Sequence, residues 1–205
     1  MASVQPIRPG RSSEPIPLHA HAMDNLRYIR ETMERAGSFT AVPGLGGVLM
    51  GSTALAAALI AGPRTADARW LTVWLVEAVA ALLIGILAAA VKSRRAGMTF
   101  LSGPGRKFVA GFAPPMIAGA VLSAVLFRAG LGEFLPGVWL LLYGAAILSG
   151  GWASVRVVPM MGACFMAAGT VALFWPAAPG DVFLAAGFGG LHILFGAVIS
   201  IRYGG

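Results

Sequence analysis

Charge is scarce in this chain. Acidic residues number 8 and Lys and Arg 15 in 205 residues, so 11% of positions are charged, against roughly 25% in an ordinary soluble domain. A soluble domain of this length still exposes about a third of its unfolded surface. A chain that is 58% hydrophobic has no polar coat to place there. Cysteine is nearly absent too, and Cys164 alone excludes an internal disulfide framework and any multi-cysteine zinc or iron–sulfur site. There is no Walker loop, HExxH pair or nucleophile elbow, so the enzyme classes that those short motifs announce find no support. Low hydrophobicity, the mark of intrinsic disorder, is also missing. What remains is an integral membrane protein.

Hydrocarbon about 30 Å thick is crossed by roughly 17–25 apolar helical residues. Stretches 39–61, 70–91, 108–128, 134–150, 158–175 and 182–201 meet that length, and they hold only two of the 23 charged residues, Glu77 and Arg128. The expected fold is all-α, with six transmembrane helices in three hairpins over residues 38–205. The 134–150 span is short and carries Pro136 near its start. With the N-terminus cytoplasmic, twelve Lys and Arg residues fall inside and only Arg64, Arg69 and Arg128 outside. Positive residues stay on the cytoplasmic side, so both termini are expected there, in a bacterial inner membrane. Trp70, Trp74, Trp139 and Trp175 then fall near the outer interface, where amphipathic rings prefer to sit.

Residues 1–22 are polar and proline-bearing, unlike the apolar centre of a signal peptide, and are expected to be flexible. Over 23–37, Asp24 suits an N-cap, and Leu26, Ile29 and Met33 recur at helical spacing. Arg27–Glu31, Arg30–Glu34 and Glu31–Arg35 pair at i,i+4. An amphipathic cytoplasmic helix follows, lying on headgroups or docking on a protein. Arg94 and Arg95, in the basic 92–107 connection, extend that surface. Membrane lipid and a cytoplasmic protein are the expected partners. Nucleic acid is not, because the basic residues flank spans and lack interleaved aromatics.

Glycine is abundant at 28 residues, and its use is physical. Lipid gives helices no hydrophobic reason to associate, so small residues supply close backbone contact. Gly47 and Gly51 form a GxxxG pair, suited to packing within the chain or to a homo-oligomer, and Gly119 with Ser123 forms a similar small pair. Leu82–Gly85, Leu141–Gly144 and Ile193–Gly196 share a pattern across the even spans. This suggests a parallel hairpin repeat that places Gly85, Gly144 and Gly196 at packing positions. Gly103–Lys107 reads as a turn. Pro114–Pro115 should kink or begin the third span and free a carbonyl for Tyr143 or Ser123.

Glu77, eight residues into its span, is the most informative side chain. A carboxylate there must be paired, hydrated or protonated, either as a proton or cation site or as a group hydrogen-bonded or paired with Arg69 or Arg128. His192, mid-span, could relay protons with Glu77 or bond between helices; a lone histidine is a poor metal site. Met160, Met161, Cys164 and Met166 hint at a soft metal, but helical geometry scatters them, so apolar packing is expected. No cofactor or metal is expected.

The block Arg30–Arg35 through Phe39–Gly44, and the tail Gly189–Gly196 to Arg202-Tyr203-Gly204-Gly205, resemble a bacterial family of six-span inner-membrane proteins. These in turn are similar to small membrane partners encoded near winged-helix regulators. The resemblance covers nearly the whole chain and implies a cellular context; it supplies no catalytic residues. Two functions therefore stand foremost, beside a third, an intramembrane redox protein with haem on His192. One is a non-enzymatic adaptor or scaffold presenting the 23–37 helix and the basic connection. The other is a small-solute or proton-coupled transporter using Glu77, His192 and Tyr143 around a central crevice.

Overall fold

A computed structural model describes residues 23–26, 28–29, 42–62, 67–95, 97, 103–152, 154–175 and 178–203. The chain divides after Gly37 into two units. In the first, 23–26 and 28–29 are helical, with Leu26 and Ile29 exposed. Met33, the rest of the expected 23–37 helix and residues 1–22 lie outside the described residues.

The second unit holds six helices long and apolar enough to cross a membrane, the architecture of a multi-pass membrane protein. They are α1 (Gly44–Ala61), α2 (Ala68–Arg95), α3 (Gly103–Arg128), α4 (Leu135–Gly151, after a 3₁₀ turn Gly132–Phe134), α5 (Val157–Phe174) and α6. The last runs from Gly180 to Tyr203 and is not uniform: Gly180–Leu184 and His192–Tyr203 are α-helical and Ala185–Leu191 between them is π-helical.

Local chemistry sets the ends. Asp67 accepts the Trp70 backbone N–H through Oδ1 at 2.6 Å, satisfying an orphan donor of the first turn of α2. The last turn of α2 carries Lys92, Arg94 and Arg95, the sign a helix C-terminus favours. Lys92 Nζ reaches Val42 O at 3.0 Å and Tyr203 O at 3.3 Å, tying the start of α1 to the end of α6. At the end of α3, Gly130 has φ +73°, and its N–H bonds Phe127 O while that of Leu131 bonds Leu126 O. That pair of bonds is a Schellman cap, whose left-handed residue is usually glycine.

Two sequence expectations change here. Gly103–Lys107 is not a turn but the first turn of α3, because proline near the start of a helix gives up an N–H that would have no partner anyway. Pro114 and Pro115 lie inside α3 without ending it. Tyr143 and Ser123 do not answer the freed carbonyls: the Ser123 hydroxyl donates to Gly119 O at 2.7 Å, and Tyr143 bonds His192.

Connectivity gives three antiparallel hairpins, but the most extensive seams are α4–α5, α3–α4 and α1–α6, and glycine explains them. A Cβ on Gly144 would lie 2.6 Å from both Gly162 O and Met166 N, and one on Gly51 would lie 2.6 Å from Gly189 O. Gly47 lies against Gly196 and the His192 carbonyl, and Gly196 against Val48 N and Gly44 O. The Gly47–Gly51 face is thus covered by α6 of the same chain, the first of the two uses expected for it. Gly85 and Gly119 sit elsewhere. A Cβ there would meet only Met50 Sδ at 3.4 Å or Leu142 Cδ1 at 3.6 Å, an ordinary side-chain contact in each case.

The resulting order leaves α2 packed extensively only on α1, and α3 only on α4 and the turn before it. None of the most apolar window of α3 is buried, as befits a surface solvated by lipid.

The seams make a direct test. Gly144→Ala and Gly51→Ala should each lower stability by ~1–3 kcal/mol through overpacking. Gly85→Ala and Gly119→Ala should be neutral or stabilising by up to about 1 kcal/mol, the helix preference for alanine. Thermal unfolding in mild detergent reads this out; equal loss at all four positions would sink the seam assignment.

Candidate functional site

A cavity of about 250 Å³ lies between α2 and α3, floored by α1, α4 and α6. Its walls are mostly apolar. Glu77, Tyr143 and His192 all line it, as do Ser123, Trp74 and Trp139. The three residues singled out as a candidate intramembrane polar site therefore come from α2, α4 and α6 and meet at one space.

Glu77 is 9% exposed, and its partner is neither Arg69 nor Arg128 but Thr53 on α1, whose Oγ1 lies 2.9 Å from Oε1. The same hydroxyl lies 2.9 Å from Met50 O and 3.2 Å from Leu49 O. Thr53 has one hydrogen for these acceptors. If it goes to Met50 O, the back-bond usual for threonine in a helix, the Glu77 contact closes only with a proton on the carboxyl. If it goes to Glu77, the carboxylate form is served. The pair thus offers one hydrogen-bonded arrangement for each protonation state.

His192 is 4% exposed. Its Nδ1 lies 2.9 Å from Phe188 O and its Nε2 2.7 Å from Tyr143 Oη. A carbonyl can only accept, so Nδ1 carries the hydrogen of the neutral ring and the Tyr143 hydroxyl donates to Nε2. The π-turn makes room for this. The backbone N–H of His192 goes to Gly189 O, and the ring takes Phe188 O. Aromatic rings enclose the dyad: Tyr143 meets Phe165 at 4.9 Å and Phe188 at 5.1 Å, both edge-on. π-Turns inside helices occur frequently at functional sites.

A second polar cluster lies toward the N-terminal ends of α2, α4 and α6. Asp181 Oδ1 accepts the indole N–H of Trp70 at 2.8 Å and of Trp74 at 2.9 Å. Trp70 stacks on Trp139 with centroids 5.4 Å apart and planes at 9°, and Trp139 Nε1 donates to Ser123 Oγ at 2.7 Å. Trp70 and Trp74, 0% and 3% exposed, are therefore not interfacial belt residues as expected; their N–H groups turn inward to the one acid that can use both. Among the described residues Asp181 Oδ2 has no hydrogen-bond partner. Trp152 and Trp175 are exposed.

Sequence reading missed Asp181, which lies one residue outside the span beginning at 182, and it missed Thr53, which pattern alone does not distinguish from any helical threonine. Gly187-Phe188-Gly189-Gly190 was the available signal for the π-turn. Among the described residues no group of three His, Cys, Asp or Glu could hold a metal. Met161 is buried while Met160 and Cys164 are exposed, so the sulfur atoms are not gathered. Arg94 and Arg95 are exposed at the end of α2. No family model, curated protein or solved structure matches this chain, so the site is read from its own chemistry.

Asp181→Ala would leave two buried indole N–H groups unpaired, at about 1–3 kcal/mol each, whereas Asp181→Asn keeps an oxygen for both. The alanine variant should melt well below the asparagine variant in detergent. Equal melting temperatures would mean that the indoles do not depend on this side chain.

Proposed function

We propose that the protein is a proton-coupled carrier of a small, mostly apolar solute, with Glu77 as the proton-exchanging group. The observation that supports this most is the convergence of Glu77 and the Tyr143–His192 pair on one cavity between α2 and α3. An adaptor requires no such space and no intramembrane carboxyl. Ionisable groups within spans are costly and commonly mark substrate or proton pathways, and a small apolar pocket with few convergent polar groups is the usual form of a ligand site.

In this reading solute binds beside Glu77, and the proton alternates between the carboxyl and water as Thr53 turns its hydroxyl from Met50 O to Glu77. Tyr143 and His192 form part of the floor. Their hydrogen bond holds Tyr143 Oη in place, with a lone pair left for the solute. α2 packs mainly on α1 and α3 mainly on α4, so the two can part from each other while each keeps its own neighbour. The adaptor reading retains the exposed Arg94, Arg95, Arg106 and Lys107 at one end of the bundle. A surface of that kind serves anionic lipid equally well. The resemblance to small membrane partners of winged-helix regulators suggests where in the cell such a carrier would act, namely a bacterial inner membrane, and the distribution of Lys and Arg supports both termini inside.

The test is transport. Proteoliposomes carrying a pH gradient and an internal pH dye are offered small aromatic acids, amines and alcohols. At least one class should dissipate the gradient with wild-type protein and fail to do so with Glu77→Gln of matched reconstitution. Identical traces for both proteins across the panel would refute the proposal.

A further inference from the structure

We infer that the solute is an amine: a small aromatic or aliphatic body carrying a protonated nitrogen, which displaces the proton of Glu77. This deepens the carrier reading and rests on it for the role of the site, but its own basis is a count of hydrogens.

Each polar side chain on the cavity wall has its hydrogens engaged inside the protein. Tyr143 O–H goes to His192, and His192 Nδ1–H to Phe188 O. Ser123 O–H goes to Gly119 O, and Trp139 N–H to Ser123 Oγ. Trp74, although it lines the cavity, aims its N–H at Asp181. What these groups leave for a guest is lone pairs: on Tyr143 Oη, on Ser123 Oγ and on the second oxygen of Glu77. Among the described residues the cavity side chains therefore offer acceptors, and Glu77 is the only carboxyl among them. A carboxylate or a ketone would find no free donor and would leave its own oxygens desolvated and unpaired, which is unfavourable, most of all for a charge. An ammonium group, which carries donors only, suits a wall of lone pairs. Trp74, Trp139, Tyr143 and Phe188 also line the cavity, and aromatic rings add attraction for a cation.

Charge balance completes the argument. With the carboxyl protonated, the site is neutral. An arriving ammonium brings one positive charge, the Glu77 proton leaves to water, and an ammonium–carboxylate pair of zero net charge remains. No bare charge is buried at either stage, and that is the condition for crossing hydrocarbon at low cost. The volume suits a compact molecule: a cavity of about 150 Å³ already accommodates benzene, so about 250 Å³ leaves room for two fused rings or an equivalent chain. Access through the parting of α2 and α3 is from the bilayer, where such amphiphiles partition.

The experiment uses purified full-length protein in mild detergent and three probes of one shape: naphthylmethylamine, ethylnaphthalene and naphthoate. Calorimetric binding is measured in two buffers of different ionisation enthalpy, at a pH where the amine is charged. The amine should bind at least ten-fold tighter than either analogue, with one proton released per molecule bound. Glu77→Gln should lose at least ten-fold in affinity and all proton release, while Glu77→Asp retains release. Melting temperature and gel filtration of both variants establish that they are folded. Naphthoate or ethylnaphthalene binding as tightly as the amine, or no amine binding at all, overturns the inference. Glu77-dependent gradient dissipation by acids or alcohols alone would overturn it too, while leaving the carrier reading intact. Amine binding with proton release, but with no Glu77-dependent gradient dissipation in liposomes, upholds the inference and overturns the carrier reading.

Discussion

A bilayer offers a buried polar group no water, so each N–H, O–H and carboxyl must find its partner inside the chain. Most of the distinctive features here follow from that constraint. Trp70 and Trp74 turn away from the interface because Asp181 Oδ1 can hold both indole hydrogens. His192 adopts a single tautomer because Phe188 O can only accept. Ser123 both donates to Gly119 O and accepts from Trp139. Glu77, the most costly group of all in hydrocarbon, sits on Thr53, which can serve it in either protonation state.

The second constraint is that lipid does not drive helices together. Cohesion falls to close backbone approach, and the chain concentrates it in seams: Gly51 against the Gly189 carbonyl, and Gly144 against Gly162. Where glycine is missing or turned away, as at Gly85, the helix is held by side chains alone. Gly119 on α3 is another such position and lines the cavity between α2 and α3, whereas Gly111 of α3 meets the Ser149 carbonyl of α4 and Gly46 of α1 meets Ala88 of α2. Tight packing on one side of the bundle and an accessible space on the other are thus two outcomes of one distribution of glycine.

Much of this was legible in the sequence. The number and extent of the spans followed from where charge is absent, because exclusion of charge from hydrocarbon is a strong rule that holds residue by residue. Glu77 and His192 stood out for the same reason. Partners did not stand out. That Glu77 meets Thr53, and not an arginine, depends on the rotation of α1 against α2, which no period encodes. The tryptophans misled because an indole is equally at home at an interface or buried with a satisfied N–H, and only the position of Asp181 decides between the two. Gly85 shares its motif with Gly144 and Gly196 but not their environment, since helical spacing repeats whether or not a neighbour is present to be met.

The central claim is that Glu77 carries a proton in the membrane and donates it to Thr53 until a solute takes its place. Infrared difference spectroscopy on protein reconstituted in lipid, with exchange into deuterium oxide, reads this directly. The account predicts a protonated-carboxyl stretch near neutral pH that disappears in Glu77→Gln. In Thr53→Val the band moves to the higher frequency of a carboxyl without a hydrogen bond. A spectrum without such a band, or one in which the Glu77 band ignores the loss of the Thr53 hydroxyl, would contradict it.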